Sequence, residues 1–313
     1  MSRSLPQLSG GLFLTDGGLE TTLIFHDKID LPLFAAFVLL KDEVGRATLR
    51  RYYQSYLEIA AAEGLGFVLE APTWRASPDW AERLGMTPGE LELYNRDAIE
   101  LLAELKAEWE GRLPRIVVSG CVGPRGDGYD PGEVMTADEA RAYHGPQIAT
   151  YAAAGAEMIG AITMTNIAEA IGVVRAAHDA GLPVAISFTL ETDGRLPTGQ
   201  TLKSAIETVD AATGDGPAYY MVNCAHPTHF ADVLDPNASW TRRIAGVRAN
   251  ASRRSHQELN DAPDLDDGDP VELGREHAEL LRRHGHLRVL GGCCGTDHRH
   301  VAAIGRACVA VEA

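Results

Sequence analysis

Three cysteines form the pattern in this chain that most clearly points to chemistry. Cys293 and Cys294 are adjacent within Gly-Gly-Cys-Cys-Gly, and Cys224 follows an apolar run earlier in the sequence. Thiolates are preferred ligands of Zn²⁺, and a catalytic zinc site has three protein ligands and one open position. The neighbouring glycines let the backbone turn both adjacent sulfurs to one side. The pattern therefore predicts one Zn²⁺ held by Cys224, Cys293 and Cys294.

Two other interpretations of the cysteines stay open at this point. Buried free cysteines are common as small hydrophobic side chains, which suits Cys121 and Cys308 better than the adjacent pair. Cys293 and Cys294 could also form a rare, strained disulfide with each other. The chain has five cysteines, an odd number, and in a reducing compartment this favours metal binding or catalysis over disulfides.

The elements that must position these sulfurs are short strands that alternate with helices. Eight β-rich apolar runs recur along the chain, and most are followed by a turn and a helical pattern. The runs cover residues 11–15, 66–70, 115–119, 157–161, 184–188, 219–222, 244–247 and 287–290. Helical patterns cover residues 43–64, 89–109, 136–154, 166–180, 202–212, 270–284 and 297–311. Thr136 and Glu139 have the spacing of a capping box at the start of one helix.

Strands that alternate with helices imply parallel pairing through right-handed crossovers. Eight such units predict a (β/α)₈ TIM barrel, an α/β fold, as a single domain over residues 1–313. A doubly wound open sheet is the alternative, but Asp16-Gly17-Gly18 does not match the G-x-G-x-x-G pattern that usually follows its first strand. Cys224 follows the sixth run and the cysteine pair follows the eighth. Because strand C-termini converge on one mouth of a barrel, we expect the zinc site at that mouth.

A polar, acidic stretch at residues 252–269 interrupts the alternation. We predict that it is a loop between the seventh strand and the following helix, and not a linker between domains. Loops of this length are usually functional or mobile.

The composition is that of an acidic globular protein. The chain has 28 Lys+Arg against 44 Asp+Glu, a formal net charge of −16, which disfavours nucleic acid and anionic membranes as partners. No apolar run approaches the roughly 20 residues of a membrane span, and the polar N-terminus lacks a signal-peptide core. We therefore expect a cytoplasmic protein that acts on small molecules, and the formation of a homo-oligomer stays open.

Five motifs spread over the chain together resemble the homocysteine S-methyltransferase family. The resemblance extends from about residue 12 to about residue 305, and its most specific part is the terminal Gly-Gly-Cys-Cys-Gly with an upstream Asn-Cys. The motifs are Asp16-Gly17-Gly18, the stretch 120–126 (Gly-Cys-Val-Gly-Pro-Arg-Gly), Ser187-Phe188-Thr189, Val222-Asn223-Cys224, and the stretch 291–296 (Gly-Gly-Cys-Cys-Gly-Thr).

The resemblance implies a zinc-dependent barrel that moves a methyl group from a sulfonium, a quaternary ammonium compound or a folate to the sulfur of homocysteine, which gives methionine. It implies that the three cysteines are the zinc ligands. It also implies that Asp16, Gly17 and Gly18 lie against the amino-acid part of the thiol. Thr73, after the second strand, and Asn223, beside the first zinc ligand, are the other predicted substrate contacts.

Metal-bound thiolate fits this chemistry on physical grounds. A free thiol with a pKa near ~8.5 is mostly protonated at neutral pH, whereas the thiolate is the nucleophile. Zinc deprotonates a coordinating thiol, so no separate general base is required. The protein then has to align sulfur, methyl and leaving atom, and an aromatic face can hold a cationic donor. Trp74 is the best-placed aromatic residue, with packing at the barrel rim as the alternative.

One position departs from the family pattern. Family members carry Glu-Thr after the fourth strand, where the glutamate contacts the substrate's amino group, and this chain has Ile162-Thr163. An ammonium group against isoleucine would be poorly compensated, so the departure leaves a different thiol or a selenol acceptor open. A zinc hydrolase or lyase is disfavoured because such sites usually use histidine and carboxylate ligands. A closed structural site would need a fourth ligand, for which His226 is the nearest histidine in sequence.

Overall fold

The computed structural model describes residues 5–262 and 264–312. Its eight parallel strands form a closed barrel in which each strand pairs with the next and β8 pairs with β1. The prediction of a (β/α)₈ TIM barrel is therefore confirmed. The strands are β1 (Phe13–Leu14), β2 (Gly66–Glu70), β3 (Ile116–Val122), β4 (Met158–Met164), β5 (Val184–Thr189), β6 (Tyr219–Asn223), β7 (Ile244–Ala249) and β8 (Val289–Gly292).

Helices between the strands surround the barrel, and short helices are added in the loops. They are α1 (Leu19–Thr21), α2 (Glu43–Ala62), α3 (Pro78–Arg83), α4 (Pro88–Trp109), α5 (Ala137–Ala154), α6 (Ile167–Asp179), α7 (Leu202–Thr213), α8 (Pro227–Phe230), α9 (His256–Asn260), α10 (Pro270–Arg283) and α11 (His298–Glu312). The capping box is present at the start of α5, where the Thr136 hydroxyl and the Glu139 carboxylate each accept a backbone N–H of the other residue. Among the described residues, no helix combines the length and the apolar character that crossing a membrane requires.

Several strands end later than the apolar runs predicted. β3 ends at Val122 and β4 at Met164 because backbone pairing continues past the apolar runs, with Cys121 opposite Gly160 and, beyond a register shift between Ala161 and Met164, Met164 opposite Phe188. Cys121 and the Ile162-Thr163 pair, which were expected in turns after strands, therefore lie inside strands. In a closed barrel every strand has a neighbour on both sides, and pairing with these neighbours extends past the last apolar residue, so an apolar run underestimates strand length.

Alternation along the strands separates the barrel interior into two layers. The lower layer is an apolar cluster that includes Phe13, Val68, Val117, Met158 and Val289. Side chains two positions further along a strand point to the same face, so the layer above holds polar and reactive groups. On β2 this residue is Glu70, on β3 Ser119 and then Cys121, on β6 Asn223, and after β8 Cys293. The mouth of the barrel is therefore polar, whereas the layer below it is apolar.

The acidic stretch 252–269 lies between β7 and α10, as predicted. It contains the short helix α9, which begins with a capping box formed by Ser255 and Glu258. Pro263 of this stretch lies outside the described residues.

Candidate metal centre

The structure brings the three predicted sulfurs together at the mouth of the barrel. The Sγ atoms of Cys224, Cys293 and Cys294 all lie within 4.8 Å of one another. Those of Cys224 and Cys294 are 3.7 Å apart, and Cys224 and Cys293 lie in disulfide contact with their Cα atoms 5.4 Å apart. Cys294 is a free thiol, so the described structure does not pair the two adjacent cysteines.

Local backbone geometry turns the sulfurs toward each other. Cys224 adopts a φ of 52°, which is uncommon for a residue with a Cβ atom. Gly295, directly after the cysteine pair, has a φ of 78°, a conformation that glycine adopts at little cost. A Cβ atom at Gly18 would collide with the carbonyl of Cys293, so this glycine lets the segment after β1 approach the cysteine loop.

These residues fit a metal ion. Two sulfurs on one tetrahedral zinc, each at about 2.3 Å from it, would be about 3.8 Å apart, close to the 3.7 Å between Cys224 and Cys294. Burial raises the pKa of the Cys294 thiol, so a cation is needed to hold this group as a thiolate. Within the described chain, no histidine or carboxylate joins the three-cysteine cluster. The ring of His226 instead contacts Thr228.

Two further side chains hold the sulfurs in place. The phenol of Tyr129 donates a hydrogen bond to Cys294 Sγ at 3.4 Å. The Asn223 amide nitrogen lies 3.7 Å from Cys293 Sγ, and its amide oxygen accepts from the backbone N–H of Thr163 at 2.8 Å and from Ser187 at 2.7 Å. Hydrogen bonds of this kind orient metal ligands and tune their charge.

The loop at residues 252–269 reaches this centre through His256. Its ring stacks on Tyr129 with centroids 3.9 Å apart. Its Nε2 lies 2.6 Å from the backbone carbonyl of Cys224 and, because a carbonyl only accepts, Nε2 carries the proton. The loop therefore supports both the backbone of one cysteine and the residue that bonds to another.

A cavity of about 230 Å³ opens onto the cysteine cluster. Its lining includes Asp16, Gly17 and Gly18, which places these three predicted contacts at the cavity. Thr73 and Asn223 are fully buried and lie outside the lining. Thr73 donates instead to the carbonyl of Cys121 at 3.0 Å.

An ion triad forms part of the cavity wall. Arg248 on β7 donates to the carboxylate of Asp16 at 2.5 Å and to that of Glu70 at 3.2 Å, and it also donates to the carbonyl of Gly292 at 3.2 Å. All three charged side chains are about 5% exposed. Burial raises the pKa of Asp16 and of Glu70, and the guanidinium opposes this rise.

The triad uses most of the hydrogen-bonding capacity of Asp16. The second carboxylate oxygen of Asp16 accepts from Tyr52 at 3.0 Å, and Glu70 also accepts from Ser119 at 2.7 Å. Asp16 is thus held by the protein on both oxygens, whichever substrate occupies the cavity. Its most direct role in the structure is to position the Gly17-Gly18 segment and Arg248.

Trp74 lines the cavity as well. The guanidinium of Arg75 lies 4.9 Å from the centroid of its ring and 3.8 Å from that of Trp80. Arg75 also donates to Asp127 at 2.9 Å and to the carbonyl of Leu33 at 3.0 Å. The rim of the cavity is therefore already occupied by a paired cation of the protein.

The sequence alone did not predict several residues of this site. Glu70 and Arg248 are charged residues at or near the ends of otherwise apolar strands, and this is a signal that could have drawn attention to them. Tyr129 and Tyr52 carry no such signal, because their roles depend on loops and helices from distant parts of the chain.

A closed barrel whose mouth brings three cysteine sulfurs together defines the class of this protein, a TIM barrel with a candidate metal centre. The profile of one family, homocysteine S-methyltransferase, matches residues 13–308. The chain belongs to the homocysteine S-methyltransferase family and is a methyltransferase.

Relatives with assigned names agree with this membership. The chain is 26% identical to "Homocysteine S-methyltransferase 4" of Zea mays, with 97% of this chain and 92% of the relative covered. It is 22% identical to "Selenocysteine Se-methyltransferase" of Brassica oleracea var. italica, with 96% and 90% covered.

Solved structures support the same fold. The homocysteine methyltransferase MmuM of Escherichia coli in its oxidized form has a TM-score of 0.71 at 19% identity, with 94% of this chain and 95% of that chain covered. Its metallated form has a TM-score of 0.69 at 19% identity, with 95% and 96% covered.

Proposed function

We propose that this protein is a zinc-dependent S-methyltransferase that moves a methyl group from a small sulfonium or quaternary ammonium donor to the thiol of homocysteine, which gives methionine. The observation that carries the proposal is the convergence of the three sulfurs of Cys224, Cys293 and Cys294 on one wall of the cavity at the barrel mouth in a chain of this family.

When the cysteines are reduced, their three thiolates form a set of ligands that suits zinc. When bound, zinc lowers the pKa of a thiol that takes its open position and holds it as a nucleophilic thiolate. Water activation is less suited to this centre, because three thiolates already donate much negative charge and hydrolytic zinc sites usually use histidine and carboxylate. MmuM, the fold neighbour, has been described in both oxidized and metallated forms. We propose the same two alternatives for the Cys224–Cys293 pair here.

The side chains around the cavity orient the cysteine sulfurs and form a mainly apolar wall. Tyr129 and Asn223 fix two of the sulfurs, and the Asp16–Arg248–Glu70 triad fixes the wall beside them. The cavity is lined mainly by apolar groups together with the backbone of Gly17 and Gly18. Alignment of sulfur, methyl and leaving atom in such a cavity is the main requirement, since a cationic donor already carries a good leaving group.

A selenol acceptor is the second candidate. Ile162 lines the cavity where the family pattern leads us to expect a glutamate, and one relative is named a selenocysteine Se-methyltransferase. The same three-cysteine centre would serve a selenol, because sulfur and selenium share the nucleophilic chemistry.

A panel of acceptors tests the proposal. The reduced, zinc-loaded protein is incubated with homocysteine, selenocysteine and simple thiols, each with a methyl sulfonium or a methyl ammonium donor, and the products are weighed by mass spectrometry. We expect a gain of one methyl group, about 14 daltons, on homocysteine. Transfer to selenocysteine alone would favour the second candidate, and hydrolysis of the donor without methylation of any acceptor would refute both.

A further inference from the structure

Glu20 differs from the other carboxylates of the cavity in having no cationic partner. Four acidic side chains line the cavity: Asp16, Glu20, Glu70 and Asp127. Three of them form ion pairs with an arginine at 3.2 Å or less. Within residues 5–262 and 264–312, no basic group lies within ion-pairing distance of Glu20, and its side chain accepts no hydrogen bond from another side chain.

Glu20 also stands close to the cysteine centre. It belongs to α1, and this helix is attached to the cysteine loop because the Gly295 backbone N–H donates to Thr21 at 3.2 Å. Glu20 and all three cysteines line the same cavity. A ligand whose sulfur reaches the cysteine cluster can therefore place a second group near the Glu20 carboxylate.

An ionised carboxylate without a cationic partner destabilises the folded protein in this cavity unless a ligand supplies the opposite charge. Burial, helped by the charge of Asp16, raises the pKa of Glu20 to about 7, although a hydrogen bond from its own backbone N–H and the charges of Arg75 and Arg248 oppose the rise. Both arginines are engaged with other carboxylates. A protein keeps such a group at a cavity wall most readily when a cation of the ligand completes it.

The side chains of the cavity wall favour one kind of ligand cation over another. A quaternary onium group has no N–H to donate and is held best by aromatic faces. Of the rings that line the cavity, Trp74 already contacts Arg75 and Tyr129 stacks on His256. A primary ammonium group donates hydrogen bonds, which a carboxylate accepts. Ile162, on the same cavity, offers no such acceptor.

We propose that Glu20 binds the ammonium group of an amino-acid acceptor and is the residue by which this protein recognises an amino thiol. The inference rests on the proposed function and deepens it. It also assigns to α1 the role that a carboxylate after β4 would otherwise have.

A binding experiment tests Glu20 without relying on methyl transfer. The dissociation constants of methionine and of 4-(methylthio)butanoate, which lacks the amino group, are measured by calorimetry for the zinc-loaded wild-type protein and for Glu20→Gln. Loss of a hydrogen bond to a charged group weakens binding by on the order of 10- to 100-fold. We expect this loss for methionine and a change of less than about threefold for the desamino compound.

The matched control is Glu100→Gln, the same substitution on the exposed face of α4, which should leave both dissociation constants unchanged. Zinc content and melting temperature show that each variant is folded. Equal weakening of both compounds by Glu20→Gln, or no weakening of either, would overturn the inference. The acceptor panel with the wild-type protein decides the proposed function separately, because that result does not depend on Glu20.

Discussion

The substitution Glu20→Gln should stabilise the protein, and the gain should depend on pH. The pKa of Glu20 is raised from its ordinary 4.5 to about 7, so the folded state keeps a proton that the unfolded chain loses between these values. Stability therefore falls as pH rises from about 4.5 to about 7 and stays lower above that range. Glutamine cannot ionise, so the variant escapes this loss.

The size of the effect follows from the shift. At about 1.4 kcal/mol for each pKa unit, the full penalty would be about 3 kcal/mol. Glu20 is partly exposed to the cavity, and screening by water reduces the expected gain to about 2 kcal/mol. For a protein of this size, this corresponds to a rise of about 3 °C in the melting temperature.

Thermal unfolding of wild-type protein, Glu20→Gln and Glu100→Gln is followed by circular dichroism at pH 5.5, 6.5, 7.5 and 8.5. The gain of Glu20→Gln should grow across the first three values and then level off, whereas the Glu100→Gln control should show no such trend. A gain of the same size at every pH, or a loss of stability at pH 8.5, would refute the argument that an unpaired, ionised Glu20 destabilises the folded state.

Three further substitutions test other parts of the centre. Cys294→Ser should reduce bound zinc from about one per chain to a small fraction, because two thiolates remain; full zinc content by metal analysis would contradict the assigned ligand set. Tyr129→Phe keeps the ring that stacks on His256 but removes the hydrogen bond to Cys294, and zinc affinity measured against a competing chelator should fall about tenfold; unchanged affinity would remove Tyr129 from the centre. Arg248→Met should destabilise the protein by about 3–5 kcal/mol, since it leaves two buried carboxylates without a cationic partner. Chemical denaturation should show this loss shrinking at acidic pH as the carboxylates take up protons, and a loss independent of pH would count against the ion triad.

The barrel could be predicted because its signals are local. Short apolar runs that alternate with capped helices define the order of elements, and parallel strands joined by helices have few alternative arrangements. Strand ends were the weak point. Ile162 and Cys121 were expected in turns, because apolar character alone does not reveal pairing that continues past the apolar run, at Cys121 on β3 and at Met164 beyond a register shift on β4.

The convergence of the three cysteines was also predictable, since strand C-termini meet at one mouth of a barrel. The ion triad was not, because the partnership of Asp16 and Arg248 joins opposite ends of the sequence and leaves no periodic pattern. Glu20 lies two residues after the Asp16-Gly17-Gly18 motif, and no pattern in the sequence marks it. It differs from the three other carboxylates of the cavity because each of those forms an ion pair with an arginine.

We propose that methyl transfer to a thiol depends on one zinc held by Cys224, Cys293 and Cys294. The most direct measurement is the rate of methyl transfer to homocysteine as zinc is returned stepwise to the reduced, metal-free protein. We predict that the rate rises in proportion to bound zinc and levels off at about one zinc per chain, and that Cys294→Ser shows no rise. Full activity of the metal-free protein, or no activity at one bound zinc, would refute this dependence of methyl transfer on zinc.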